Sequence, residues 1–184
     1  MESDPGRRET LTALTAYAGL VALTAALGAR MTVPWHYYQI LSPGPLTLDL
    51  SGSIFYLHAQ PPLLNLGLGM ALKLSHSTGL SVETLLLGVH VVLGALAVWG
   101  FCAVCQQMLQ SSVTRRICIA LFVLHPAVYV TLFQYFYSFH ELALLCLLPL
   151  AIFFYLQSRQ PRFYALFCVG VVLLVYTHTL FHLL

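Results

Sequence analysis

Apolar residues run along this chain in long unbroken stretches, with polar positions gathered between them. Five stretches are long enough to form spanning helices: Leu11–Leu27, Val82–Gln106, Ile117–Phe133, Ser138–Leu156, and Phe163 onward to Leu184. A helix rises about 1.5 Å per residue and a bilayer core is about 30 Å thick, so each can cross, the shortest with local thinning of the bilayer. The pattern predicts one membrane domain over 1–184. A polar, disordered tail covers 1–9 and a first span lies within 10–29. A long loop follows at 30–81, then spans at 82–106, 117–133, 138–156 and 163–184.

Pro62–Leu74, PLLNLGLGMALKL, resists this division. As a helix it would reach only about 20 Å, and it carries Asn65, Gly67, Gly69 and Lys73. Whether it crosses sets the sidedness of everything after it. If it does not cross and the N-terminus is inside, Arg7, Arg8, Arg115, Arg116, Arg159 and Arg162 are cytoplasmic, leaving only Arg30 and Lys73 outside. If it crosses, Arg115, Arg116, Arg159 and Arg162 move outside. The excess of cations on cytoplasmic loops favours the first arrangement, with Pro62–Leu74 a juxtamembrane or re-entrant helix on the outer face. Ala26-Leu27-Gly28-Ala29 resembles a signal-peptide cleavage site. The apolar run before it is long for a signal core, so an uncleaved first helix is expected.

Composition narrows the class. The 184 residues are 59% apolar and 8% charged, against about a quarter charged in a soluble domain. So few charges cannot cover a water-facing surface, which excludes soluble globular, disordered and nucleic-acid-binding proteins. The expectation is an all-α, multi-pass transmembrane helix bundle of about five spans with an outer-face juxtamembrane helical loop. It is expected in the plasma (inner) membrane of a bacterium, N-terminus cytoplasmic.

Sidedness also sorts the chemistry. His36, His58, His76, His90, His125, His140, His178 and His182 all fall on the outer side or outer half. Cys102, Cys105 and Cys118 fall near the cytoplasmic ends, Cys168 in the inner half and Cys146 at mid-membrane, so no structural disulfide is predicted. Polar groups in lipid are costly and face a bundle interior or cavity. Their convergence places a candidate site at the outer surface, roofed by the Arg30–Ser81 loop and including His140 and Glu141 at the outer end of the fourth span. Single interfacial histidines also serve as anchors, although anchors belong at both interfaces.

Within the loop, Ser42-Pro43-Gly44-Pro45 predicts a turn and Leu46–Tyr56 an amphipathic surface helix around Asp49. Asp49 is the only acid of the loop before Glu83. Desolvation there would favour its protonated form and suit a general base. The same residue fits a turn or a helix N-terminus equally well. The string His58-Ala59-Gln60-Pro61-Pro62-Leu63-Leu64-Asn65 is the most specific. Its prolines disrupt a helix interior but can open a helix, which delivers His58 and Gln60 just before a helix start. Free N–H groups and the positive dipole end there favour phosphate, and a helix start without a ligand reads the same way.

Smaller signals point mostly to packing. Cys102-Ala103-Val104-Cys105 has C-x-x-C spacing but no second pair, against a metal or redox role. His178 and His182 lie about one turn apart, the spacing of two metal ligands or of interface anchors. Gly67, Gly69 and Gly94, and similarly Gly88, suit close helix approach.

One helix, a long outer loop with an acid, and Tyr56-Leu57-His58-Ala59-Gln60-Pro61-Pro62-Leu63-Leu64-Asn65 together resemble the N-terminal portion of GT-C membrane glycosyltransferases. Within that group the likeness is to protein O-mannosyltransferase and lipid-A aminoarabinose transferase relatives. The stretch Pro126–Glu141 is similar to the outer turn between two helices in these proteins. The resemblance implies a transferase using a polyprenyl-phosphate-linked sugar. It implies Asp49 as base on the acceptor hydroxyl, His58 near the donor phosphate with Gln60 and Asn65 in support, and His140 or Glu141 approaching from the fourth helix. Many members carry an acidic pair after the first helix, and this chain does not. The implied partners are the lipid-linked donor, membrane lipids and an unidentified acceptor, with no nucleic acid. No cofactor is implied and a divalent metal is left open. GT-C enzymes usually have many more spans, so a truncated chain is expected. The competing reading is a non-enzymatic multispan subunit that packs against a larger partner. A metal or haem handler should show several facing i, i+4 histidine pairs, and only one such pair is present.

Overall fold

The structure, a computed structural model, describes residues 5–37, 40–55 and 61–177, the Tyr137 side chain excepted. Among them it is helical throughout: α1 (Pro5–Ala26), α2 (Pro43–Leu48), α3 (Leu50–Phe55), α4 (Pro62–Thr78), α5 (Val82–Met108), α6 (Ser112–Leu124), α7 (Pro126–Leu132), α8 (Tyr137–Ser158) and α9 (Pro161–Thr177). Four segments are long and apolar enough to cross a membrane: α1, α5, Ser112–Leu132 across α6 and α7, and Ser138–Ser158 of α8. The described part of α9 is apolar but shorter, at 17 residues. Leu121, Leu145 and Val172 are more than half exposed on these helices, as lipid-facing side chains are. The chain is an all-α multi-pass membrane bundle.

Local chemistry explains the boundaries. Ser81 and Ser111 accept the backbone N–H of Thr84 and Thr114 and so cap α5 and α6. Pro62 opens α4 as the double proline predicts, and Gly79 closes it in the left-handed conformation, φ 74°. α4 extends beyond the expected Leu74 to Thr78.

Four expectations need correction. The third span is not one helix over Ile117–Phe133: it begins at Ser112 and breaks at His125–Pro126. Proline has no N–H to donate and its ring clashes with the preceding turn; His125 instead caps α7, its Nδ1 accepting the Ala127 N–H. Leu46–Tyr56 is not one surface helix, because Asp49 divides it into α2 and α3. Ser42–Pro45 is not a free turn but the start of α2. Residues 5–9 of the expected tail are also helical.

The bundle is built around the α5–α8 pair, with α1 on α5 and α9 on α8. Its core includes Tyr17, Val98, Cys102, Ile119, Val123, Leu132 and Phe139. The helices α2, α3 and α4 form a cap with its own core of Ile40, Leu46, Leu64 and Leu68, joined to the bundle at Leu86 and Tyr135. Each of these buried leucines contributes about 1.5–3 kcal/mol relative to exposure in water. A backbone bridge fastens the cap: Thr32 N–H donates to Phe133 O at 2.9 Å, and Tyr135 N–H to Thr32 O at 2.9 Å.

Polar contacts distinguish the two ends of the bundle. At one, Glu9 pairs with Arg115 and Arg116, Gln106 reaches Gly6 and Thr10, and Gln157 reaches Gln107. The cap occupies the other. Arg7, Arg8, Arg115, Arg116, Arg159 and Arg162 thus belong to the uncapped end, the grouping the sequence suggests.

Candidate functional site

His90 sits on the buried stripe of α5 that includes Leu86, Gly94, Ala97 and Val98. The residue is 0% exposed. Its Nδ1 lies 2.8 Å from the Leu132 carbonyl at the end of α7. A carbonyl only accepts, so Nδ1 carries the proton and Nε2 keeps a lone pair in the neutral ring. Nε2 has no hydrogen-bond partner among the described residues.

Aromatic rings surround it. Phe139 and Tyr135 stack on His90 at centroid distances of 4.9 and 5.6 Å, and His140 meets it edge-on at 4.9 Å. The Tyr135 hydroxyl donates to Leu64 O at 2.7 Å, tying this cluster to α4. His140 is held by the Phe136 carbonyl, 3.1 Å from Nδ1. Gly94 allows the approach of Tyr17 and Phe139, and Gly67 that of Tyr135. Gly69 packs under Leu50 and Gly88 faces open space, so close packing explains three of the four glycines singled out.

The expected site residues divide. Asn65 is 0% exposed: its Oδ1 accepts the Leu41 N–H at 2.8 Å and its Nδ2 donates to Pro61 O at 3.0 Å. The amide fastens the loop to α4. We predict that Asn65→Ala, which strands the Leu41 N–H, destabilises the chain by about 1–3 kcal/mol, readable as earlier thermal unfolding in detergent. Asp49 is exposed, which corrects the expected desolvation. Its Oδ1 accepts the Gly52 N–H at 2.9 Å and the Ser51 hydroxyl at 3.1 Å, so it caps α3. His140 and Glu141 are half-buried in the first turns of α8. His58 and Gln60, like His178 and His182, lie outside the described residues.

The structure therefore brings His140 and α4 together through Tyr135, while the hydrogen bonds of the Asp49 carboxylate come from its own turn. Sequence reasoning counted His90 among the converging outer histidines without singling it out, and it passed over Tyr135. The available signal was a histidine placed four residues from both Leu86 and Gly94 within the apolar run Leu85–Cys105. Chemically, His90 offers a buried acceptor and Asp49 an exposed carboxylate whose Oδ1 is engaged by the α3 cap. Among the described residues no three His, Cys, Asp or Glu side chains converge as a metal site would require. The five cysteines are free thiols, and Cys102 and Cys105 are both buried in the bundle. No family model, curated protein or solved structure matches this chain.

Proposed function

We propose that the chain is, or forms part of, a GT-C-type membrane glycosyltransferase that moves a sugar from a polyprenyl-phosphate donor to an acceptor at the capped end. The observation that carries this reading is the placement of Asp49, His90, His140 and Glu141 at one end of the bundle, opposite Arg7, Arg8, Arg115, Arg116, Arg159 and Arg162. Asp49 is the base on the acceptor hydroxyl. His58 and Gln60, just ahead of the proline-opened α4, approach the donor phosphate, and His140 and Glu141 border the site. Sugar transfer with inversion at the anomeric carbon needs a base and stabilisation of the leaving phosphate.

The test is transfer of label from radiolabelled polyprenyl-phosphate sugars in membranes carrying the chain. Transfer above that of membranes without it is expected. No transfer from any donor in a panel of sugars overturns the reading. In this proposal the arginine end faces the cytoplasm of a bacterial plasma membrane. In a cysteine-free background, an impermeant thiol reagent added outside is expected to label a cysteine at position 49 and not one at 159. The opposite pattern overturns the orientation.

A second reading, a subunit packed against a larger partner, is favoured by Asn65, whose amide is taken up by backbone groups on both sides. It expects Asp49→Asn to behave as the parent in every assay.

A further inference from the structure

Away from the capped end, α1 and α6 leave a groove of about 820 Å³ between them, within the roughly 300–1,000 Å³ range of small-molecule sites. Its body is apolar, lined by Ala13, Ala16, Ile119, Ala120 and Val123, and it opens outward past the exposed Ala16 and Ala120. Arg8, Glu9 and Arg116 close it at the uncapped end. One carboxylate there serves two guanidinium groups. Arg115 holds Glu9 through Nε at 2.6 Å and Nη2 at 3.2 Å. Arg116 reaches the same carboxylate through Nε alone, at 3.0 Å, and its side chain is 67% exposed. By sequence, the segments at this end carry Arg7, Arg8, Arg115, Arg116, Arg159 and Arg162 against Glu2, Asp4 and Glu9. The groove thus ends in excess positive charge while its walls are hydrocarbon.

We propose that this groove binds a phospholipid with a net-negative headgroup, its acyl chain along α1 and α6 and its phosphate on Arg116. The occupant follows from charge complementarity: the single carboxylate of Glu9 serves both Arg115 and Arg116, and a zwitterionic lipid fills the walls equally well but leaves that excess charge unmatched. The site lies at the opposite end from the transferase reading and does not depend on it.

The test uses the purified full chain in detergent, exposed to equal amounts of phosphatidylglycerol and phosphatidylcholine with identical acyl chains. Retained lipid is counted by native mass spectrometry. The parent is expected to retain phosphatidylglycerol in preference by about fivefold, the scale of one basic residue at an anionic surface. Arg116→Gln is expected to lose most of that preference while still binding lipid. Ala16→Trp, which fills the groove, is expected to retain less of both. Equal retention by the parent overturns the proposal, as does a preference unchanged in Arg116→Gln. Arg116→Gln alone decides if Ala16→Trp does not fold. Recovery with a bound protein helix and no lipid preference also overturns it, in favour of a partner helix in the groove.

Discussion

Asp49→Asn is expected to lower sugar transfer by about 10²–10⁴-fold, the usual contribution of a positioned general base, with no change in thermal unfolding. The cap makes this separation possible. Oδ1 of Asp49 accepts the Gly52 N–H and the Ser51 hydroxyl, and asparagine caps a helix about as well as aspartate. An amide in its place keeps the accepting oxygen and replaces Oδ2 with an NH₂ that cannot take a proton. Asp49→Ala would confound the two roles, because losing the cap alone costs about 1 kcal/mol. Full transfer by the asparagine variant, measured beside an unchanged melting curve, removes Asp49 as the base. Lost transfer with lowered stability would point instead to a perturbed cap.

The largest stability effect is expected at Gly100. A Cβ there would lie 2.9 Å from the Cys146 carbonyl oxygen and 3.0 Å from Leu147 Cδ2. The oxygen belongs to the α8 backbone and cannot rotate away, so α5 and α8 must separate. Gly100→Leu is therefore expected to cost about 1–3 kcal/mol or more, the range for overpacked cores, and it falls on the pair around which the bundle is built. Gly88 is the control, since nothing lies within 4 Å of a Cβ built there. Gly88→Ala is expected to be neutral or to stabilise by up to about 1 kcal/mol through helix propensity. Thermal unfolding of both variants in detergent checks the contrast, and equal melting of Gly100→Leu and the parent would refute the close approach.

Helix existence was legible because hydrophobic run length is a direct record of what must be kept from water. The interruptions were harder to read. Hydrophobicity continues across His125–Pro126, so the run reads as one span, yet the proline's missing N–H ends α6 at Leu124. Asp49 was visible as a conspicuous acid. Its exposure was not, because exposure depends on where Leu46 turns to meet α4, a contact between residues far apart in sequence. The double proline was read correctly as a helix start because that signal is local. Asn65 lies on the same helix, but its partner Leu41 is separated by a loop whose path no short string encodes. His90 was obscured for a related reason: its significance lies in the Leu132 carbonyl and in rings supplied by another helix.

The fracture at His125–Pro126 has a mechanical consequence. The seven-residue α7 is joined to α6 by a proline joint and is followed at once by the bridge from Thr32 to Phe133 and Tyr135. Its last carbonyl-bearing turn also holds His90. A tilt of this short lever would drag the cap and strain the histidine's tether in the same stroke, so the roof and the buried imidazole are geared together.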